Sequence, residues 1–410
     1  MLQPTDALRA ILERIPTPST SETVFQALPL VEVAGRRLAA DALSDVDLPP
    51  FEKSMMDGFA LRAEDVSGPG KHTLRWVGES RAGQPFEGEV PPGCCIEIFT
   101  GAELPPDCDA VEMIEKTERP DPNGDRVSFT GPIPIARNVS HRGEILANRK
   151  RVYAAGRRLS AADLSVLASI GCDPVPVYKR PRVSVLTTGD ELVPATETPG
   201  RGQIREGNTL FLAAAARELG CDVGRAGIVR DEPALLEEAF RSALEEGDAL
   251  ITSGGVSVGK YDLVGATFEK LGVEPILHKV AIKPGKPIWF GMAGDKPVFG
   301  LPGNPVSSLL GFEVFVRPAL AKLAGGGPQE QGERLGRARW SGKTLRAPGR
   351  QNNVPARLET GADGVLELHG LPFRGSADIV TAANADALCV VPRDTEVEAG
   401  EMVAFRPLRR

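Results

Sequence analysis

The feature that most constrains the fold is a regular alternation of short apolar runs and helical patterns from residue 182 onward. Apolar runs at 183–186, 227–229 and 249–251 suit buried strands, and between them apolar residues recur at helical spacing over 210–219 and 235–244. Asn208 is expected to cap the first helix and Gly220 to end it; Asp231 with Pro233 opens the second. A third helix is expected over 262–271, a strand through 277–282, and a strand over 297–300. The end of that last strand, Leu301-Pro302-Gly303-Asn304-Pro305, starts a helix with Asn304 at its N-cap and Pro305 at its first position. Strands that alternate with helices imply an open, mostly parallel, doubly wound sheet.

Such sheets bind ligands beyond the carboxyl ends of their strands. Here those ends carry Thr188, Gly189, Asp190 and Glu191, then Asp231, the stretch SGGVSVGKYD at 253–262, the turn from Lys283 to Lys286, and the loop that runs from Pro302 to Ser307. In SGGVSVGKYD, Gly254, Gly255 and Gly259, set among Ser253 and Ser257, would let backbone N–H groups approach an anion closely. Lys279, Lys283 and Lys286 add positive charge, and Pro284-Gly285 forms a turn short enough to aim Lys283 and Lys286 at one point. Glu191, Asp231 and Asp262 supply oxygen ligands for a divalent cation. Each residue alone is an ordinary surface group; their convergence on one sheet edge points to a polyanion, a phosphate ester with Mg²⁺.

Two familiar motifs overlap the same stretch. Gly254 to Lys260 fits G-x-x-x-x-G-K, but Tyr261 stands where a P-loop needs a hydroxyl for Mg²⁺. Gly255-Val256-Ser257-Val258-Gly259 fits the nucleophile elbow of α/β-hydrolases, for which Asp262 or Asp295 with His369 would have to complete the order Ser, Asp, His. A glycine-rich binding loop explains the stretch with fewer requirements, and Ser257 is expected not to be a nucleophile.

At 410 residues the chain exceeds what one core usually serves, so several domains are expected. Net charge −7 argues against a general nucleic-acid or membrane-surface binder, and no apolar run is long enough to span a bilayer; the expectation is a cytoplasmic protein. Six cysteines without paired spacing read as reduced thiols. Leu8, Ile11, Leu12 and Ile15 mark a first helix that Pro16 stops, a second helix is expected over 21–28, and strand-like alternation over 30–39. Glycine, proline and short apolar alternation over 49–137 suggest an inserted all-β unit, in which Asp57 and Thr100 read by default as a turn former and a strand-end cap. Ser160 to Asp163 is a capping box. The run Gly325-Gly326-Gly327-Pro328 reads as a hinge before a small C-terminal β domain whose Arg350, Arg357 and Ser376 are by default solvated.

Several segments together resemble one family, the molybdopterin molybdenumtransferases that complete the molybdenum cofactor, which include the E domain of gephyrin. They are PPFEKSMMDGFA at 49–60, IFTGA at 98–102, TTGDEL at 187–192, SGGVSVGKYD at 253–262, AIKPGKP at 281–287, GLPGNPVS at 300–307 and GSADIVTAANADAL at 375–388. The resemblance implies a multidomain subunit combining α/β and β parts: a linking domain from 1–44 and 141–177, an inserted β domain over 45–140, a molybdopterin-binding α/β domain over 178–326, and a C-terminal β domain over 327–410, assembled as a homodimer. It implies insertion of molybdenum into adenylylated molybdopterin, with molybdate and Mg²⁺, and release of AMP.

By motif position, Asp57, Thr100, Glu191, Asp231, Asp262, Lys279 and Lys283 look like the family's functionally important residues, with Glu191, Asp231 and Asp262 toward the metal. Lys283, Lys286, Ser307, Arg350 and Ser376 look like its molybdate contacts. Thr188, Gly189, Asp190, Ser253, Gly254, Gly255, Ser257, Gly259, Pro302, Gly303, Asn304 and Pro305 look like its substrate-binding residues. Asp57 and Thr100 are expected to reach the sheet domain of the other subunit. Transient contact with the molybdopterin adenylyltransferase and with apo-molybdoenzymes is also implied. The chain departs from the family pattern at Ser140 and Ile145, where an arginine and an aspartate are usual, and at Lys260, often acidic. The competing readings are the adenylyltransferase of the preceding step, which is essentially the sheet domain alone, and a non-catalytic scaffold.

Overall fold

A computed structural model describes residues 1–18, 25–121, 124–255 and 263–408. At its centre six strands lie in the order Asp222–Val229, Arg182–Thr188, Ala249–Ser253, Lys296–Leu301, Trp289–Ala293 and Glu274–His278. The first four run parallel; the last two pairings are antiparallel. Alternate residues of one strand face opposite layers, as a pleat requires. Val183 and Val185 join Ile251, Phe290 and Phe299 in a core roofed by the helices Asn208–Glu218 and Arg317–Leu323. Leu186 and Leu250 join Phe240 and Phe268, from the helices Pro233–Glu246 and Leu263–Lys270, on the other side. The doubly wound sheet is therefore present.

Three details differ from the sequence-based expectation. Trp289–Ala293, to which the sequence reading assigns no element, forms a buried hairpin with Lys296–Leu301. Gly291 is required there because a Cβ would sit 2.5 Å from the Glu274 carbonyl. The expected strand 277–282 divides instead: it ends at His278, Lys279 takes a φ of 74°, and Ile282–Lys283 leaves the sheet to pair in parallel with the C-terminal strand Gln351–Thr360. Asn208 is the first residue of its helix rather than the cap; the Glu206 carboxylate accepts the Thr209 N–H at 2.7 Å in that role.

The N-terminal helix Pro4–Arg14 buries Ala7, Leu8 and Ile11 in the same core as the sheet. Of the helix expected over 21–28, residues 25–28 form a strand, Phe25–Leu28, paired with Val175–Tyr178, and the remainder lies outside the described residues. In place of strand alternation over 30–39 there is a 3-10 turn, Leu30–Glu32, and Arg37 and Leu38 make isolated bridges. The inserted region forms a six-stranded sheet whose central strands are Gly58–Leu61, Cys94–Ile98 and Gly70–Ser80. In the C-terminal region the strands Gln351–Thr360, Leu366–Gly370, Gly336–Ser341, Met402–Pro407 and Ala387–Val391 close into a ring, the last pairing with the first. The glycine run before it is packed rather than slack. A Cβ on Gly325 would sit 2.4 Å from the Tyr178 ring, and Arg37 crosses to Glu330 in a two-pronged ion pair.

The helix Ala161–Ser169 carries the capping box expected from its sequence. Asp163 accepts hydrogen bonds from the Ser160 N–H at 2.8 Å and from Arg157 at 2.8 Å, while its own N–H donates to the Ser160 hydroxyl. Burial opposes ionisation of this carboxyl, but the hydrogen bonds from Arg157 and Ser160 outweigh it and hold the group well below the usual carboxylate range. A depressed folded-state pKa stabilises the fold above the unfolded value and the gain is lost as pH falls through the folded value. Asp163→Asn should therefore lower unfolding free energy by about 1–2 kcal/mol at neutral pH. In urea titrations the gap between wild type and variant should shrink steadily as the pH falls below about 4; a gap that stays constant would mean the carboxylate charge contributes nothing.

Candidate functional site

Two cavities open beyond the carboxyl ends of the parallel strands and meet at Asn304, the one described residue that lines both. The first, of ≈ 510 Å³, is acidic. Thr188, Gly189 and Glu191 line it from the end of Arg182–Thr188, Asp231 from the end of Asp222–Val229, and Gly254 and Gly255 from the end of Ala249–Ser253. The Asp231 carboxyl is pushed up by burial and by the nearby charges of Asp190 and Glu191. The buried Thr188 hydroxyl faces the Asp231 carboxyl and partly offsets that rise. Crowded carboxylates describe a place that a cation would relieve.

The second cavity, of ≈ 590 Å³, is cationic. Lys283, Lys286 and Ser307 line it from the sheet domain, and Arg350, Arg374 and Ser376 from the C-terminal region. Among the described residues no acidic side chain lines it, and none of its four cations makes an ion pair within 4 Å. Its two halves are joined by backbone bonds: Lys283 is in register with Asn352, the Gln351 N–H donates to the Ala281 carbonyl, and the Val306 N–H donates to the Ser376 carbonyl. The cations therefore sit on a fixed frame.

Between the cavities runs the loop of Pro302, Gly303 and Asn304, and a buried polar cluster holds it from beneath. Asn208 Nδ2 donates to the Gly303 carbonyl at 2.8 Å and to Ser253 Oγ at 2.9 Å. Ser253 Oγ in turn bonds the Pro302 carbonyl at 3.2 Å and Ser308 Oγ at 3.0 Å, and Ser308 also donates to the Pro302 carbonyl. Asn304 occupies the N-cap of the helix Pro305–Gly311, yet its side chain makes no capping bond.

The residues expected to contact molybdate, Lys283, Lys286, Ser307, Arg350 and Ser376, all line the cationic cavity. Glu191 and Asp231 line the acidic one with Thr188, Gly189, Gly303 and Pro305; Pro302 lies on the cationic side. Asp190 is exposed beside the acidic cavity and accepts the Asp231 N–H at 3.3 Å. Other expectations are met differently. Ser253 is fully buried in the supporting cluster rather than at the surface of the cavity. The Gly254 N–H donates to the Leu301 carbonyl; glycine is needed at this position by its φ of 96° and because a Cβ would sit 2.3 Å from the Thr188 carbonyl. Lys279 lines neither cavity. Asp57 accepts the Thr100 N–H at 2.7 Å and its hydroxyl at 2.8 Å in the inserted β region, and neither residue lines the cavities of its own chain. Ser257, Gly259, Lys260 and Asp262 lie outside the described residues. His369, required by the hydrolase reading, has Glu359 and Glu367 as its acidic neighbours on the C-terminal sheet.

Sequence reasoning missed Asn208, Glu206 and Arg374. Asn208 was hidden by its plausibility as a helix cap, and Arg374 stands one residue before the segment GSADIV used for the resemblance. At the sequence departures, Ser140 Oγ donates to Glu144 at 2.9 Å and Arg142 pairs with Asp47 at 2.7 Å, so this stretch is held within the chain.

The sheet and its strand-end cavities define a molybdopterin-binding type of domain, and the family profile described as "Probable molybdopterin binding domain" matches residues 184–322. Two further profiles, the MoeA N-terminal region (domain I and II) and the MoeA C-terminal region (domain IV), match residues 2–171 and 337–408. The molybdopterin molybdenumtransferase of Haemophilus influenzae is 35% identical over 99% of this chain and 98% of its own length, and that of Nostoc sp. is 34% identical over 90% and 85%. The crystal structure of the molybdopterin biosynthesis MoeA protein from Pyrococcus horikoshii covers 100% of both chains with a TM-score of 0.84 at 29% identity. The chain belongs to the MoeA family of molybdopterin molybdenumtransferases.

Asn208→Ala removes the donor to the Gly303 carbonyl and should cost about 1–3 kcal/mol of unfolding free energy, as expected when a buried acceptor loses its partner. An unchanged urea midpoint would show that the loop between the cavities does not depend on this side chain.

Proposed function

We propose that the two cavities form one site in which this transferase inserts molybdenum into adenylylated molybdopterin and releases AMP. The observation that carries this reading is the meeting of an acidic and a cationic cavity at Asn304. A substrate with a phosphoanhydride needs both a cation and a set of positive donors, and a separate oxyanion needs the latter.

The acidic cavity suits Mg²⁺. Its donors are hard oxygens from Glu191, Asp231 and the Thr188 hydroxyl beside Asp231. When bound, Mg²⁺ would polarise the phosphoanhydride. Asp262, the last residue of the stretch SGGVSVGKYD, is read as a third carboxylate for this ion, and Gly255, Gly303 and Pro305 as backbone walls for the organic substrate.

In the cationic cavity Lys283 and Lys286 attract molybdate, Ser307 and Ser376 can donate their hydroxyl protons to its oxygens, and Arg350 offers a planar pair of N–H donors. These groups hold the oxyanion beside the organic substrate and offset negative charge as AMP departs. Asp57 and Thr100 are read as approaching this site from a second copy of the chain. Lys279 is read as acting on the substrate from outside both cavities. The homodimer, the four-part division of the chain, a cytoplasmic location and contacts with the adenylyltransferase and with apo-molybdoenzymes belong to the same reading. No helix among the described residues is long and apolar enough to cross a membrane.

Lys283→Ala should raise the molybdate concentration needed for half-maximal insertion about tenfold, the equivalent of about 1.4 kcal/mol, and should change binding of adenylylated molybdopterin less. An unaltered molybdate dependence would move the oxyanion site away from the Lys283 turn.

A further inference from the structure

The cationic cavity is larger and more positive than one tetrahedral oxyanion requires. Its volume of ≈ 590 Å³ is in the range of pockets that hold organic ligands. Among the described residues four cations line it and no acidic side chain does; Asp378, behind the wall, is the one carboxylate that feels the Arg374 charge. A dianion of molybdate leaves half of that charge unmatched.

The cations also come from two separate parts of the frame. Lys283 and Lys286 share one turn, whose Gly285 packs against Ser307: a Cβ there would meet the Ser307 carbonyl at 3.4 Å. Arg374 stands on a different loop, with Phe373 beside it on the cavity wall. That loop is held firmly by Asp378, which accepts the Arg374 N–H at 3.0 Å and the Thr381 N–H and hydroxyl at 3.1 and 2.8 Å. The backbone bond from Arg374, followed by those from Thr381, holds the Asp378 carboxyl below its ordinary range, so it stays an acceptor at neutral pH. The Arg374 backbone is fixed while its guanidinium remains exposed and makes no ion pair within 4 Å among the described residues. An arginine on a held loop next to an aromatic ring is suited to a phosphate carried by an organic group, since its planar fork binds two phosphate oxygens at once.

We infer that Arg374 forms a second anionic subsite in this cavity, which takes a phosphate of the organic substrate while the Lys283–Lys286 turn holds the inorganic oxyanion. Arg374 is then a specificity residue for phosphate-bearing ligands, and the two anions bind together rather than in competition. This rests on the proposed function in one respect, the assignment of molybdate to the lysine turn.

Calorimetric titration of the full-length protein with molybdate and with pyrophosphate, without divalent cation, tests it. Wild type should bind each anion in the presence of saturating amounts of the other. Arg374→Ala should weaken pyrophosphate about tenfold or more and molybdate less than about threefold, and Lys283→Ala should do the reverse. Competition between the anions in wild type, or equal weakening of both by Arg374→Ala, would overturn the second subsite while leaving molybdate at the lysine turn. If Lys283→Ala leaves molybdate binding intact, the site assignment itself fails, and the second subsite fails with it.

Discussion

The site depends on the buried amide and hydroxyl cluster under the loop of Pro302 and Gly303. Asn208 and Ser253 come from two different elements of the sheet domain, and both hold carbonyls of that one loop. A buried carbonyl without a donor is costly, so these bonds fix the position of the loop as well as its shape. The loop is also the wall between the two cavities.

Charge separation follows from topology. The strands Arg182–Thr188 and Asp222–Val229 end side by side, so their loops bring Asp190, Glu191 and Asp231 together. The lysine turn lies past the other side of the loop because Ile282–Lys283 leaves the central sheet and joins the C-terminal one. That crossing strand is what lets Arg350, Arg374 and Ser376 reach the same cavity. The strand-end edge of the central sheet and the C-terminal region thus present opposite charges on either side of Asn304, which leaves both available to a ligand that needs a cation and anion donors together.

The sheet domain was legible because its signals were periodic and long. Apolar strands, helix caps and a strand-end loop agree with one topology. The errors fell where tertiary contacts override local signals. Trp289–Ala293 becomes a strand only through its hairpin partner, and Phe25–Leu28 only through Val175–Tyr178. Within the site, side-chain charge was easier to read than backbone bonding. Lys283 and Lys286 could be placed at a strand end by topology and Arg350 only by resemblance, whereas the Gly254 N–H and the Ser253 hydroxyl turned out to be engaged within the protein. Nothing local to Asn208 distinguishes a helix cap from a residue that clamps a loop nearly a hundred positions away.

The most direct test is incubation of the purified protein with adenylylated molybdopterin, molybdate and Mg²⁺, with AMP and active cofactor followed together. Treating the two cavities as one site predicts that AMP and active cofactor appear in equal amounts, and that omitting either molybdate or Mg²⁺ suppresses both. Full AMP release without molybdate, with no cofactor formed, would contradict the claim that the acidic and cationic cavities act on one substrate.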